Sequence, residues 1–224
     1  AQVQWLVDSI TASAAFVRNG RLDVVATNSL ARALHAPMFA SPTTAGSQDG
    51  RANFARFHFL DPLARDFFVD WEAGAATTVA LLRAEAGREP HDRALRELVG
   101  ELSTLSAQFG ALWAAHDIQL RHHGAKRLRH PVVGALELTY QGLVLPTLPR
   151  AVHELSVYTA APGSRAEEQL KLLASWGATT ADEVSRRTAE ESSTSGARAS
   201  SGVLRSAPAR PADGADTELL PPRH

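Results

Sequence analysis

The sequence predicts an α+β fold built on an antiparallel sheet of about five strands, and three observations carry that expectation. A hairpin signature stands near the N-terminus, two long stretches of helical period fill the middle, and strict alternation of apolar and polar residues returns between residues 136 and 158. At 224 residues and 44% hydrophobic content, the chain can bury one sizeable core.

Val3, Leu6, Val7 and Ile10 fall at helical spacing and predict a short first helix. Residues 14–18 and 21–26 then flank Asn19-Gly20, the dipeptide that most readily takes positive φ at both central positions of a type I′ turn, so a hairpin is expected there. Asn28 is a fitting cap for a helix through Leu30, Ala33 and Leu34, which Pro37 ends. After a loop over residues 41–50, Asp61-Pro62 opens a long helix. Leu63, Phe67, Trp71, Ala75, Val79 and Leu82 line one face of it as far as Gly87. A second long helix, antiparallel to it, runs from Asp92 to His116 on a stripe that includes Leu95, Leu98, Leu102, Leu105, Phe109 and Trp113. Leu136, Leu138 and Tyr140 alternate with polar residues, as do Leu155 and Val157. Two half-buried strands follow from that, with Lys126–Arg129 as a third. Ser164-Arg165-Ala166-Glu167 reads as a capping box before a last helix through Leu170, Leu173 and Trp176. Two strands, a helical middle and three strands form the arrangement of a PAS-like sensor, a sheet with a helix-walled pocket on one face. That domain is expected over residues 1–178. Residues 179–224, rich in Ser, Thr, Ala, Arg, Pro and Gly, are expected to form a disordered tail.

A net charge of −1 supplies no field that would draw this piece onto phosphate backbones. The lack of cysteine removes disulfides, thiolate nucleophiles and the commonest zinc sites. No apolar run is long enough for a membrane span, and no signal sequence is visible, so a cytoplasmic protein without a membrane partner is expected. The chain begins Ala1-Gln2-Val3-Gln4 without an initiator Met, as expected of a piece with sequence upstream.

Several motifs occur in an order typical of one family. They are Arg51-Ala52-Asn53-Phe54-Ala55-Arg56-Phe57-His58-Phe59-Leu60-Asp61-Pro62-Leu63-Ala64-Arg65 followed by Asp70-Trp71-Glu72; Phe109-Gly110-Ala111-Leu112-Trp113-Ala114-Ala115-His116-Asp117; Lys126 to His130 leading into Pro131-Val132-Val133-Gly134; and Val157-Tyr158-Thr159-Ala160-Ala161-Pro162-Gly163-Ser164. Over about Val3 to Gly177 the chain resembles the MmyB-like transcription regulators. The resemblance implies a PAS-like domain that holds a fatty-acid-like ligand, preceded by a Cro/repressor-type (XRE family) helix-turn-helix that is missing here. Where that family has a Trp before the Asn, this sequence has Thr27 before Asn28. DNA is then a partner only through the missing N-terminal part, and the intact protein is expected to be a homodimer that reads two half-sites.

A carboxylate taken into an apolar cleft needs a cation and donors, because an unpaired charge out of water is expensive. Asn53 and Arg56, just before the apolar helix, are the expected head-group ligands, with Arg51 and Arg65 in reserve. The alternative is that these arginines pair with Asp61, Asp66 or Asp70. Phe57, Phe59, Phe67, Trp71, Phe109 and Trp113, with Phe54, Phe68, Leu105 and Leu112, are candidate pocket walls or plain core. His91-Asp92 and His116-Asp117 stand at opposite ends of one expected helix, nearly ~40 Å apart at about 1.5 Å per residue, and cannot share a metal. No nucleophile elbow, phosphate loop or dinucleotide fingerprint occurs, so no cofactor, metal or catalytic residue is expected. The rival to a sensor is a dimerisation or interaction module without a physiological small ligand.

Overall fold

A computed structural model of the protein describes residues 2–45, 50–115, 123–147 and 151–177, all within one compact unit, residues 1–182. A second unit, residues 183–224, and with it the expected tail, lies outside the described residues. Five strands form one sheet: β1 (Ala14–Asn19), β2 (Val24–Thr27), β3 (His123–His130), β4 (Gly134–Thr147) and β5 (Ala151–Thr159). Their order is β2-β1-β5-β4-β3, antiparallel throughout, so the two halves of the chain meet where β1 pairs with β5. The helices are α1 (Gln2–Asp8), α2 (Ser29–Leu34), α3 (Ala36–Phe39), α4 (Pro42–Ala45), α5 (Phe54–Leu60), α6 (Leu63–Phe67), α7 (Trp71–Arg88), α8 (Arg93–Leu105), α9 (Ala107–Ala114) and α10 (residues 165–177). This is the α+β architecture expected from the residue pattern. Among the described residues no helix is long and apolar enough to cross a membrane.

The hairpin forms, but with a different turn. Neither Asn19 nor Gly20 takes positive φ; Leu22 does, at 68°. Leu22 N–H donates to the Asn19 carbonyl at 2.9 Å and Asn19 N–H to the Asp23 carbonyl at 3.1 Å. That is a three-residue loop closed by a left-handed residue. A branched residue there costs roughly 1–2 kcal/mol. Leu22 is 2% exposed and packs with Ala55, Val79, Leu82 and Leu95, which offsets the strain. Gly20 fits closely for another reason: a Cβ there would displace the Glu85 carboxyl of α7.

Several caps fall where the residue types place them. Asn28 accepts from Ala31 N–H at 2.8 Å, and its amide also ties down the Ile10 and Ser13 carbonyls at 2.7 and 2.8 Å. Asp61 Oδ1 accepts from Leu63 N–H at 2.9 Å, and Asp92 Oδ1 from Leu95 N–H at 3.1 Å. Ser164 Oγ accepts from Glu167 N–H at 3.2 Å, but the Glu167 carboxylate returns to Gly163 N–H (2.8 Å), one residue earlier than a closed capping box requires.

Both expected long helices are broken. The first stops at Phe68, whose extended backbone bridges Leu128 of β3 while Val69 N–H donates to the Arg127 carbonyl at 3.1 Å. Pairing with a strand some 60 positions later in the chain outweighs the local helical period, and it pins the helical layer to the sheet. The second helix is interrupted at Ser106, which caps α9 through Phe109 N–H at 3.2 Å and leaves Leu105 65% exposed instead of in the core. His116 lies outside the described residues, so the single-helix separation of the two His-Asp pairs no longer applies.

The phase of β5 is the finding with most bearing on function. Phe16 and Arg18 of β1 lie opposite Ser156 and Glu154, and Ala15 and Val17 lie opposite Val157 and Leu155. Ala15, Val17, Ala26 and Leu155 form a cluster with Val7 of α1, whereas Phe16 and Tyr158 belong to the core under the helical layer. Alternate residues face opposite ways. The apolar members of β5 therefore meet α1 on one face, and the polar and aromatic members face the helices on the other.

Candidate ligand cleft

Between the inner face of the sheet and α7 lies a cleft of about 350 Å³. The sheet supplies Phe16 and Arg18 from β1, Ser156 and Tyr158 from β5, Tyr140 from β4, and Gly124 and Lys126 from β3. The opposite wall is built from Phe54 and His58 of α5, Phe68 and Asp70, and α7 between Ala73 and Leu81. Its size falls at the low end of the roughly 300–1,000 Å³ of small-molecule sites.

Aromatic rings shape the walls. Phe16 stacks on Phe54 with centroids 4.8 Å apart and lies 5.9 Å from Tyr158, which in turn is 6.2 Å from Tyr140. The His58 ring is held between Phe68 and Trp71 at 5.1 and 4.8 Å. Its Nε2–H donates to the Trp71 carbonyl at 2.9 Å, and Trp71 Nε1–H donates to the His58 carbonyl at 3.0 Å. Gly74 makes room for this arrangement, because a Cβ there would come within 2.7 Å of His58 Cε1. Burial holds the His58 pKa down to about 4, against its carbonyl hydrogen bond and aided by the charges of Lys126 and Arg65; the ring is neutral at pH 7.

The charges around the cleft are unequally matched. Arg18 pairs with Glu154 at 2.6 Å. Asp70 is gripped twice by Arg127, with Nε to Oδ2 at 2.9 Å, and that pairing holds its carboxyl below the usual range. Lys126 is different: its Nζ sits 4.8 Å over the Phe68 ring and has no carboxylate within 4.0 Å among the described residues. Burial pulls its pKa down to about 8, with Arg18 adding to the shift and Asp70 opposing it.

The residues expected to bind a head group lie elsewhere. Asn53 is 1% exposed with its amide fully used: Oδ1 accepts from Arg56 N–H at 2.9 Å, and Nδ2 donates to the Arg21 carbonyl and Asp23 Oδ1 at 2.9 and 2.7 Å. Arg56 meets Glu101 of α8 through Nε at 3.0 Å and Nη2 at 2.8 Å. Arg65 is exposed, donates to Gln108 and lies 4.0 Å over the Trp71 ring; Arg51 is exposed. Phe57, Phe67 and Phe109 are buried core, at 0%, 2% and 0% exposure. Trp71 backs His58. Phe59 meets Trp71 and Phe109 edge-on, and Trp113 stacks on Phe109 beside a hollow of about 140 Å³. None of these ten residues lines the cleft under α7; Phe54 and Phe68, also candidate walls, do. Of the histidines, His35 and His130 are buried like His58 and bond backbone carbonyls, those of Ala31 at 3.2 Å and Ala33 at 3.0 Å.

Sequence reasoning passed over Lys126, although a signal for it existed. Leu128 must face the core, and a period of two then turns Lys126 and His130 the same way. A larger groove, about 520 Å³, runs between α10 and the β3–β4 turn, with Leu172 and Val132 at its exposed edges. It lies outside the helix–sheet core, and the charged residues along it, Arg165 and Glu168, are exposed, unlike the half-buried Lys126 of the inner cleft.

The sequence model of the MmyB-like transcription regulator ligand binding domain matches residues 1–173, about three quarters of the chain. The chain belongs to that family. No curated protein matches it. As an MmyB-like ligand binding domain it is a ligand-sensing part of a transcription regulator, with a small molecule and a DNA-binding domain as its partners.

Proposed function

We propose that this MmyB-like domain, PAS-like in its strand order, binds a fatty-acid-like apolar molecule in the cleft under α7 and relays occupancy to a Cro/repressor-type helix-turn-helix joined to it. The intact regulator is then a cytoplasmic homodimer, with residues 179–224 as a tail outside the sensing domain. One observation carries this: a ligand-sized space walled by Phe16, Phe54, Phe68, Tyr140 and Tyr158 sits between the two layers instead of packed side chain. β1 offers a relay. Phe16 and Arg18 face the cleft, while their neighbours Ala15 and Val17 carry Val7 of α1, whose outward side exposes Trp5 and Leu6. A ligand that displaces β1 by a fraction of an ångström changes the seat of α1, and it alters DNA binding to the extent that it prefers one of the two seats.

The purified full chain is expected to release an apolar acid on organic extraction, seen by mass spectrometry at near one per protein. Decanoate at a hundred times its Kd should stabilise the stripped protein by about 2.7 kcal/mol, roughly 5–10 °C in Tm. No extractable molecule together with an unmoved Tm contradicts the proposal. That result would favour the interaction module, for which exposed Leu172 and Val132 along the α10 groove are the supporting observation.

A further inference from the structure

We propose that Lys126 is the cationic anchor of the cleft, so that the ligand is a compact monoacid seated with its acid group at β3 and its apolar body against the Phe16, Phe54 and Tyr158 rings. This rests on the cleft being the ligand site, and it adds which end is charged and by how much.

The first support is charge arithmetic. The ionisable groups around Lys126 come from every element packed on it, Tyr140 of β4 among them. Arg18 and Glu154 cancel across β1 and β5, and Asp70 and Arg127 cancel across the α6–α7 junction and β3. His58 of α5 is neutral, as is His35 at the α2–α3 junction; burial and the nearby Lys126 charge hold both near pKa 4. Tyr158 of β5 is pushed up by burial and stays protonated. What remains among the described residues lining the cleft is a single positive charge, that of Lys126. A half-buried ammonium over a phenyl ring gains some cation–π attraction, yet lacks the counter-charge that buried cations ordinarily have. A monoanion supplies it. A dianion would leave its second charge unmatched, because the other cation that lines the cleft, Arg18, is already held by Glu154.

The second support is geometric. The alternation of β3 directs Lys126 inward beside Leu128 and opposite Leu138, both 1% exposed or less, so the ammonium enters the space from the floor of the sheet. The α7 wall facing it gives little competing polarity. Thr77 and Thr78 spend their hydroxyl protons on the Ala73 and Gly74 carbonyls at 2.9 and 2.8 Å. An acid group therefore finds its strongest partner at Lys126.

The test compares decanoate with 1-decanol, the same chain without the charge, by calorimetric titration of the full protein. At pH 7 the wild type should prefer decanoate at least tenfold. Lys126→Met, which keeps the stem and deletes the charge, should erase that preference while decanol binding persists. Should Lys126→Met fail to fold, the wild type decides alone. Decanoate stays ionised from pH 6 to 9, so the preference should be full well below pH 8 and fade as pH climbs past it, displaced somewhat upward because the bound anion favours the ammonium. Equal affinities for acid and alcohol, or a preference flat over that range, overturn the Lys126 assignment and leave the cleft as a ligand site. Failure of both probes to bind overturns the cleft and the assignment together.

Discussion

Lowering the pH from 7 to 5 is expected to remove roughly 3–4 kcal/mol of stability, a large share of the roughly 5–15 kcal/mol a domain possesses. The cause lies in His35 and His58. Burial depresses both from an ordinary 6.5 to about 4, against the carbonyl hydrogen bonds that each ring makes and with help from the charge of Lys126. The unfolded chain takes up protons near 6.5 while the folded chain does not. Stability is therefore complete above about pH 6.5 and declines as pH falls toward 4, by about 1.4 kcal/mol per histidine per pH unit. His130, also lowered by burial, adds to the loss; Glu85, raised by burial, opposes it. His35 gives the cleanest control. Its Nδ1–H donates to Ala31, its Nε2 is buried without a partner among the described residues, and the Phe16, Phe54, Phe67 and Tyr158 rings surround it. His35→Phe should fold and lose about half the acid sensitivity in urea titrations at pH 7, 6 and 5. An unchanged slope would mean that His35 is not the buried neutral base described here.

The second large effect separates structure from recognition in the Asn53 loop. Asn53→Ala removes the cap of α5, worth about 1 kcal/mol, and deprives the Arg21 carbonyl and Asp23 of a buried donor, for a total near ~3 kcal/mol. Arg56→Met breaks only a partly exposed pair with Glu101, side chains 16% and 35% exposed, and should cost under about 1 kcal/mol. Neither change should alter decanoate affinity in the protein that remains folded. If both instead weaken decanoate binding tenfold with stability intact, the loop holds the head group and the cleft under α7 does not.

Much of the scaffold is legible in the residues because it is local. Asn28, Asp61 and Asp92 cap because their short polar side chains reach orphan amides two or three residues on, and the hairpin follows from the two mostly apolar runs that flank Asn19-Gly20. What is not legible depends on partners distant in sequence. Phe68 leaves the helical path to pair with Leu128, and Leu22 accepts a left-handed backbone because its side chain is wanted in the α7–α8 core. The lining of the cleft under α7 was illegible for the same kind of reason. In β5 the apolar set Leu155 and Val157 looks like the inward face, yet α1 covers that side, and the polar set Glu154, Ser156 and Tyr158 turns to the cleft. Asn53 and Arg56 carry chemistry suited to a carboxylate, but Asp23 and Glu101 already satisfy them. Lys126, in a plain basic run, lines the cleft with no carboxylate within 4.0 Å among the described residues.

The central claim is that an apolar acid occupies the space between the sheet and α7, and amide and side-chain NMR shifts of the full chain during a decanoate titration test it most directly. Perturbations should concentrate at Phe16, Phe68, Lys126, Tyr140 and Tyr158. Shifts gathered instead at Val132, Leu172 and Trp176 along α10, or none at saturating decanoate, would contradict it.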